Sequence, residues 1–162
     1  MQKGQSITEL QNKAFLEIIS NEEIIRSMVV SNTDFLYATP TPQEKILIDD
    51  PTLLIRKQLF PYRRIPTTQD TAKIYLTSAW TDFKKVNTQY KSGLVYFYII
   101  VPISMEKSDY GIRYNFIADK LDEIFYSSGI GKFEYYNRGD IDISDGYLGH
   151  FIAFRILDFH GW

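Results

Sequence analysis

The sequence predicts an α+β domain: an antiparallel four-stranded sheet of two hairpins in ββαββ order, one main helix packed on it, and further helices at the N-terminus. Three observations lead there. The run Gly93-Leu-Val-Tyr-Phe-Tyr-Ile-Ile-Val-Pro-Ile-Ser-Met105 is β-branched, aromatic and uncharged, which favours a strand at the centre of a sheet. Between positions 110 and 127, Phe116, Ile117, Leu121, Ile124 and Phe125 fall at helical spacing. The pair Asp145-Gly146, flanked by apolar stretches, marks a tight hairpin. The apolar part of the central run is too short to cross a bilayer as a helix, which needs roughly 20 residues. Both of its alternating sets are apolar: Leu94, Tyr96, Tyr98 and Ile100 against Val95, Phe97, Ile99 and Val101. Both faces of this strand are therefore expected to be covered, the second by the N-terminal helices.

The other elements follow in chain order. Ser6 and Glu9 have the spacing of a capping box, and Ile7, Leu10, Ala14, Phe15, Ile18 and Ile19 place an apolar stripe on the helix they start. Ser20 and Glu23 repeat that spacing, so the helix is expected to break at Ser20-Asn21 and resume through Ile24, Ile25 and Met28. Residues 1–30 thus read as two helices joined by a kink. Pro40, Pro42, Pro51, Pro61 and Pro66 interrupt residues 31–66, which read as an extended docking arm. Asp50 as N-cap and Pro51 as first helical residue start a short helix over 52–59 within it.

Residues 67–162 form the core of what is read as one domain spanning 1–162. Ile74, Leu76, Trp80 and Phe83 mark a strand over 73–85, joined to the central strand by a polar loop. Gly129 is expected to end the helix over 110–127. A strand follows over 132–136 and 141–144, interrupted near Asn137-Arg138-Gly139, and a last strand over 147–159 sets Ile152, Phe154 and Ile156 on one face.

Composition narrows the function classes. A net charge of -2 gives no general basic field for nucleic acid. The absence of cysteine removes disulfides, thiolate metal sites and cysteine nucleophiles. The first residues, Met1 to Ser6, lack the apolar stretch of a signal peptide, so no secretion and no membrane association are expected. Twelve tyrosines and 15% aromatics suit either an aromatic core or a protein interface. Arg56, Lys57, Arg63 and Arg64 make the arm the most basic part of the chain, suited to phosphates, to an acidic neighbouring subunit, or to plain solvation.

Motifs for catalysis and metal binding fail on inspection. Asp140-x-Asp142-x-Ser144 opens like a calcium loop, but Asp145 stands where glycine is required and Phe151 where a bidentate glutamate belongs. Arg138-Gly139-Asp140 spells an adhesion tripeptide and is better placed in a bulge or turn. His150 and His160 are ten residues apart, not a helical metal pair. Asp82-Phe83-Lys84 would serve a Mg2+-dependent nuclease only if the fold brought Glu106 or Asp109 beside it. No cofactor, metal or catalytic residue is expected.

The order helix, hairpin, helix, hairpin, with the strongly apolar strand from Gly93 to Met105 just ahead of the helix over 110–127, resembles tailed-bacteriophage tail terminator proteins over roughly residues 73–159. That resemblance implies a structural virion protein of the neck, made in the host cytoplasm. Its subunits would form a homo-oligomeric ring, a hexamer or a dodecamer, that caps the tail tube protein and joins it to the head-tail connector proteins. Genomic DNA would pass through the lumen without specific binding. Ring closure needs a head-to-tail contact between identical subunits, and Arg56, Lys57, Arg63, Arg64, Tyr96, Tyr98 and Trp162 are the expected interface residues. The alternatives are a Mg2+-dependent nuclease and a small monomeric binding domain.

Overall fold

The computed structural model describes residues 7–64, 66, 72–85, 91–127, 132–143 and 145–158. Helix α1 (Ile7–Ile19) turns Leu10, Ala14, Phe15 and Ile18 inward, as its periodicity predicts; the expected Ser6 cap lies outside the described residues. The chain breaks where expected, with a different cap. Asn21, not Ser20, caps α2 (Glu22–Val29), its side-chain oxygen accepting from the Ile24 amide at 3.0 Å. Ser20 donates its hydroxyl back to the Leu16 carbonyl and closes α1.

The stretch read as an extended arm carries three short elements. Helix α3 (Pro42–Asp49) begins with a full capping box, in which the Thr41 hydroxyl accepts from the Glu44 amide and the Glu44 carboxylate from the Thr41 amide. The same carboxylate accepts from the Ser31 amide and hydroxyl. Burial would raise the Glu44 pKa, but these hydrogen bonds outweigh it and hold the group below the usual carboxylate range. The helix expected over 52–59 is only a 3-10 turn, Pro51–Leu54. After it comes a two-residue strand, β1 (Leu59–Phe60).

Next in order are β2 (Tyr75–Lys85), β3 (Lys91–Pro102), a small hairpin of β4 (Lys107–Ser108) and β5 (Gly111–Ile112), then α4 (Arg113–Ser127), β6 (Lys132–Ile141) and β7 (Tyr147–Asp158). The main sheet runs β1-β2-β3-β7-β6. It has five strands, not the expected four. The fifth is β1, which pairs parallel to β2 and is pinned by the Leu76 amide donating to the Gln58 carbonyl at 2.7 Å. Two adjacent buried residues show no alternation, so a strand this short leaves no pattern to read. The β4–β5 hairpin delays α4 to Arg113, and β6 is continuous, with a bulge between Tyr135 and Asn137 in place of the expected interruption. The Gly129 cap lies outside the described residues.

One hydrophobic core joins α1, α2, α4 and one face of the sheet, including Leu10, Ile18, Ile24, Phe97, Phe125 and Phe154. At its centre the Phe97 ring stacks on Phe125 at 5.3 Å and meets Phe154 edge-on at 6.1 Å. The N-terminal helices therefore share this face with α4 and do not cover the other, contrary to expectation. Val95, Phe97, Ile99 and Val101 are fully buried, whereas Leu94, Tyr96 and Tyr98 are half-buried. A smaller cluster of Phe60, Tyr75 and Ile100 closes one end of that second face. Tyrosine makes this partial covering tolerable, since its ring is apolar and its hydroxyl stays wet.

Arg113, the first residue of α4, is fully buried and ties α4 to the end of α2. Its Nη1 donates to the carbonyls of Ser27 at 3.0 Å and Val30 at 2.7 Å, its Nε to Met105 at 3.0 Å, and its Nη2 more weakly to Ser31 and Asn32. The Phe35 ring lies 4.8 Å from the guanidinium.

The loop after α2 is held from the other side by the β4–β5 hairpin. The Tyr110 hydroxyl donates to the Asp34 carboxylate, which lifts the phenol to about 12. The fold thus favours the protonated phenol. Its contribution to stability is complete below pH 10 and is lost as pH rises from 10 towards about 12. Tyr110→Phe is expected to flatten that alkaline part of the stability curve, measured by urea unfolding across this range; an unchanged slope would show that the bond contributes nothing.

Candidate functional site

Strand register defines the uncovered face. Thr77, Tyr98 and Phe151 form one row, Ala79, Tyr96 and Ala153 the next, and Thr81, Leu94, Arg155 and Glu134 a third. Tyr96 stands between two alanines. The Tyr96 and Tyr98 rings are nearly parallel at 6.2 Å, and Tyr96 lies 6.0 Å from Phe151. Gly139 opposes Phe151, and a Cβ there would meet that ring at 3.3 Å, so a small residue lets the ring settle onto the sheet. Burial, then Tyr136, Tyr98 and Asp82 nearby, pushes the Tyr96 phenol above its ordinary pKa.

Each end of this face has its own cleft. At the end nearer β1, a cavity of about 230 Å3 is lined by Arg63, Arg64, Tyr98 and Asp142 among others. The Arg63 guanidinium sits 5.6 Å from the Tyr98 ring centre, and that of Arg64 4.8 Å from Phe60. At the far end a cavity of about 720 Å3 lies between the end of β2 and Tyr136, Arg155 and Leu157.

The structure therefore brings Arg63, Arg64, Tyr96 and Tyr98 together, four of the seven expected interface residues. Arg56 and Lys57 stay exposed on the turn ahead of β1, where Arg56 takes a left-handed φ of 65° and its amide donates to the Leu59 carbonyl. Trp162 and His160 lie outside the described residues. Asp82 and Lys84 are at one end of β3's length and Glu106 beyond the other, separated by about ten strand residues, or roughly 30 Å. Glu106 thus does not join Asp82 in a metal site, and among the described residues no group of three or more histidines and carboxylates is placed to hold an ion.

A model of the YomW family matches residues 21–156, from the start of α2 into the last strand. The chain belongs to the YomW family. That family is phage-derived. No curated protein matches the chain. The matched part of this YomW-family chain contains the uncovered face from β1 as far as Arg155, while α1 precedes it.

Two clusters in the YomW-family chain escape a reading by motif. Arg138, within the supposed adhesion tripeptide, donates from Nε to His150 Nε2 at 3.0 Å, from Nη1 to Asp119 at 2.8 Å and from Nη2 to Asn115 at 3.2 Å. Since His150 Nε2 accepts, its Nδ1 carries the proton and donates to Asp140 at 2.9 Å, and the ring stacks on Tyr114. The tripeptide and the first aspartate of the supposed calcium loop are thus engaged in fastening β6 and β7 to α4. The second cluster is Arg113, whose one warning in the sequence is a cation at a helix start, where the dipole disfavours it.

Proposed function

We propose that this YomW-family protein is a structural component of the phage neck, forming a ring that terminates the tail tube and joins it to the head connector. The carrying observation is the one-sided build, in which three helices pack on one sheet face and leave Tyr96, Tyr98 and Phe151 half-open beside Arg63. Tyrosine, phenylalanine and arginine are enriched where proteins meet. A closed ring needs two different surfaces on each subunit. A second one is present beside β1, where Phe15, Leu16, Ile19, Ile55, Leu59 and Pro61 line an apolar groove and Leu16 is 58% exposed. The phage origin of the family and the order of the core elements support the same reading. Genome transit suits a ring whose subunits carry a net charge of -2, which does not hold DNA by its phosphates.

The test is native mass over a range of concentrations, with negative-stain imaging of the assembled species. A ring with a central hole is expected, alone or when purified tail tubes are added as template. Monomer under both conditions sinks the reading. Within the basic set, Arg63→Glu with Arg64→Glu is expected to block head-tail joining in complementation. Arg56→Glu with Lys57→Glu, off the aromatic face, is expected to leave most of it; equal losses from the two pairs would remove the sheet face from the interface.

A further inference from the structure

The larger cleft, beyond Tyr96 at the far end of the uncovered face, is a separate feature. Here β2 departs from regular pairing: its register shifts between Thr81 and Lys84, and Asp82 adopts φ 55°, a left-handed conformation that a non-glycine residue holds only under local constraint. Phe83 lies so close over Gly93 that a Cβ there would sit 2.5 Å from its ring, so the bulge is built around a glycine. The result is a cavity of about 720 Å3, within the usual range of roughly 300–1000 Å3 for small-molecule sites. Lys84 and Arg155 line it, both exposed, and neither is held in an ion pair with a described residue. The Arg155 guanidinium rests 5.4 Å from the Tyr136 ring centre. Asp82 and the buried Ser92 add one anionic acceptor and one hydroxyl.

We propose that this cleft binds a nucleoside phosphate, either free or as one unit of a single strand. Lys84 and Arg155 take the phosphate, and the ring of Tyr136, 44% exposed, offers an aromatic surface to the base. Asp82 and Ser92 are placed for the polar groups of base or sugar. A simple carboxylate or inorganic anion would engage the two cations and leave the aromatic wall unused. Duplex DNA keeps its bases stacked and presents only phosphates, so it has no means of filling the cleft. This proposal is independent of ring formation, because it uses the end of the face away from Arg63 and Arg64.

The experiment is binding to the protein in whatever assembly it adopts, using thymidine and adenosine monophosphates, a labelled short oligothymidylate and inorganic phosphate, read by calorimetry and anisotropy. Nucleotide binding is expected, with inorganic phosphate at least about tenfold weaker for want of stacking. Competition of mononucleotide against the oligomer marks free nucleotides as the source, and binding of the oligomer alone marks a strand; both support the site. Lys84→Glu with Arg155→Glu is expected to lower affinity more than tenfold without moving the thermal unfolding midpoint, and Tyr136→Ala to lower it several-fold. Should the double reversal disturb folding, Lys84→Gln with Arg155→Gln tests the same contacts. No binding by any nucleotide probe, phosphate binding as tight as nucleotide, or affinity unchanged in these variants overturns the proposal.

Discussion

Arg113→Ala is expected to cost about 3–5 kcal/mol, against a typical total stability of about 5–15 kcal/mol for a domain. The physics lies at the ends of two helices. The last carbonyls of α2 have no amide partner within the helix and carry the negative end of its dipole. Arg113 supplies donors to two of them, Ser27 and Val30, and its Nε binds Met105. Removing the side chain strands these acceptors in a dry interior, at about 1–3 kcal/mol for each one left without a donor. Burial pushes the guanidinium pKa down to about 10, so it stays charged at neutral pH. That charge is met by backbone carbonyls and, at longer range, by the Glu44 carboxylate; among the described residues no carboxylate is hydrogen-bonded to it. Arg113→Lys retains the charge but not the forked donors, and an intermediate loss is expected. Urea unfolding measures both; a cost below about 1 kcal/mol for the alanine variant would mean that water replaces the guanidinium without penalty.

The second large effect contrasts neighbours on one strand. Phe97→Ala is expected to lose about 3–5 kcal/mol, because the cavity would open between Phe125 and Phe154, rings already held in place by α4 and β7. Tyr98→Ala, one residue on and facing the other way, is expected to cost the isolated monomer only about 1 kcal/mol. In the proposed ring the order of importance reverses, since Tyr98→Ala removes an interface anchor and Phe97→Ala does not touch one. Unfolding measured at concentrations where the protein is monomeric, and native mass measured where it assembles, separate the two effects. Equal destabilisation of the monomer by both would show that the sheet is buried on both sides.

What the sequence shows of this architecture follows from the range of its signals. The central strand is legible as a long β-branched and aromatic run, and the long helix and the final strand because their apolar residues recur with a regular period. The coverage of the sheet is not: Leu94, Tyr96, Tyr98 and Ile100 are apolar enough for a covered face, and only the docking of α1 and α2 beside α4 decides that they remain partly open. Thr41 and Glu44 do carry a local signature, the capping box of α3, but the prolines around them point to an irregular arm. Pro42 in fact occupies the one turn of a helix where proline is favoured. For the candidate site, Tyr96, Tyr98, Arg63 and Arg64 are visible as residue types, whereas their meeting depends on β1 joining the sheet. Asp82 and Lys84 are visible as a pair. Their neighbour Arg155 lies more than seventy positions further on, and strand register alone brings it to the same cleft.

The strand order also governs when the protein becomes folded. β7 is last in the chain, yet it stands between β3 and β6. Hairpin β2–β3 can form early from local contacts, but β3 then waits with a long edge, uncharged from Ser92 onward, unpaired until residues near 158 have been synthesised. Such an edge is prone to pairing with other chains. Closing it requires contacts between segments some fifty positions apart, which slows folding relative to a helical bundle of the same size. A chain halted before β7 would lack Phe151 and carry Tyr96 and Tyr98 with no closed core beneath them, so in the proposed ring a subunit would become able to assemble only once the sheet is complete.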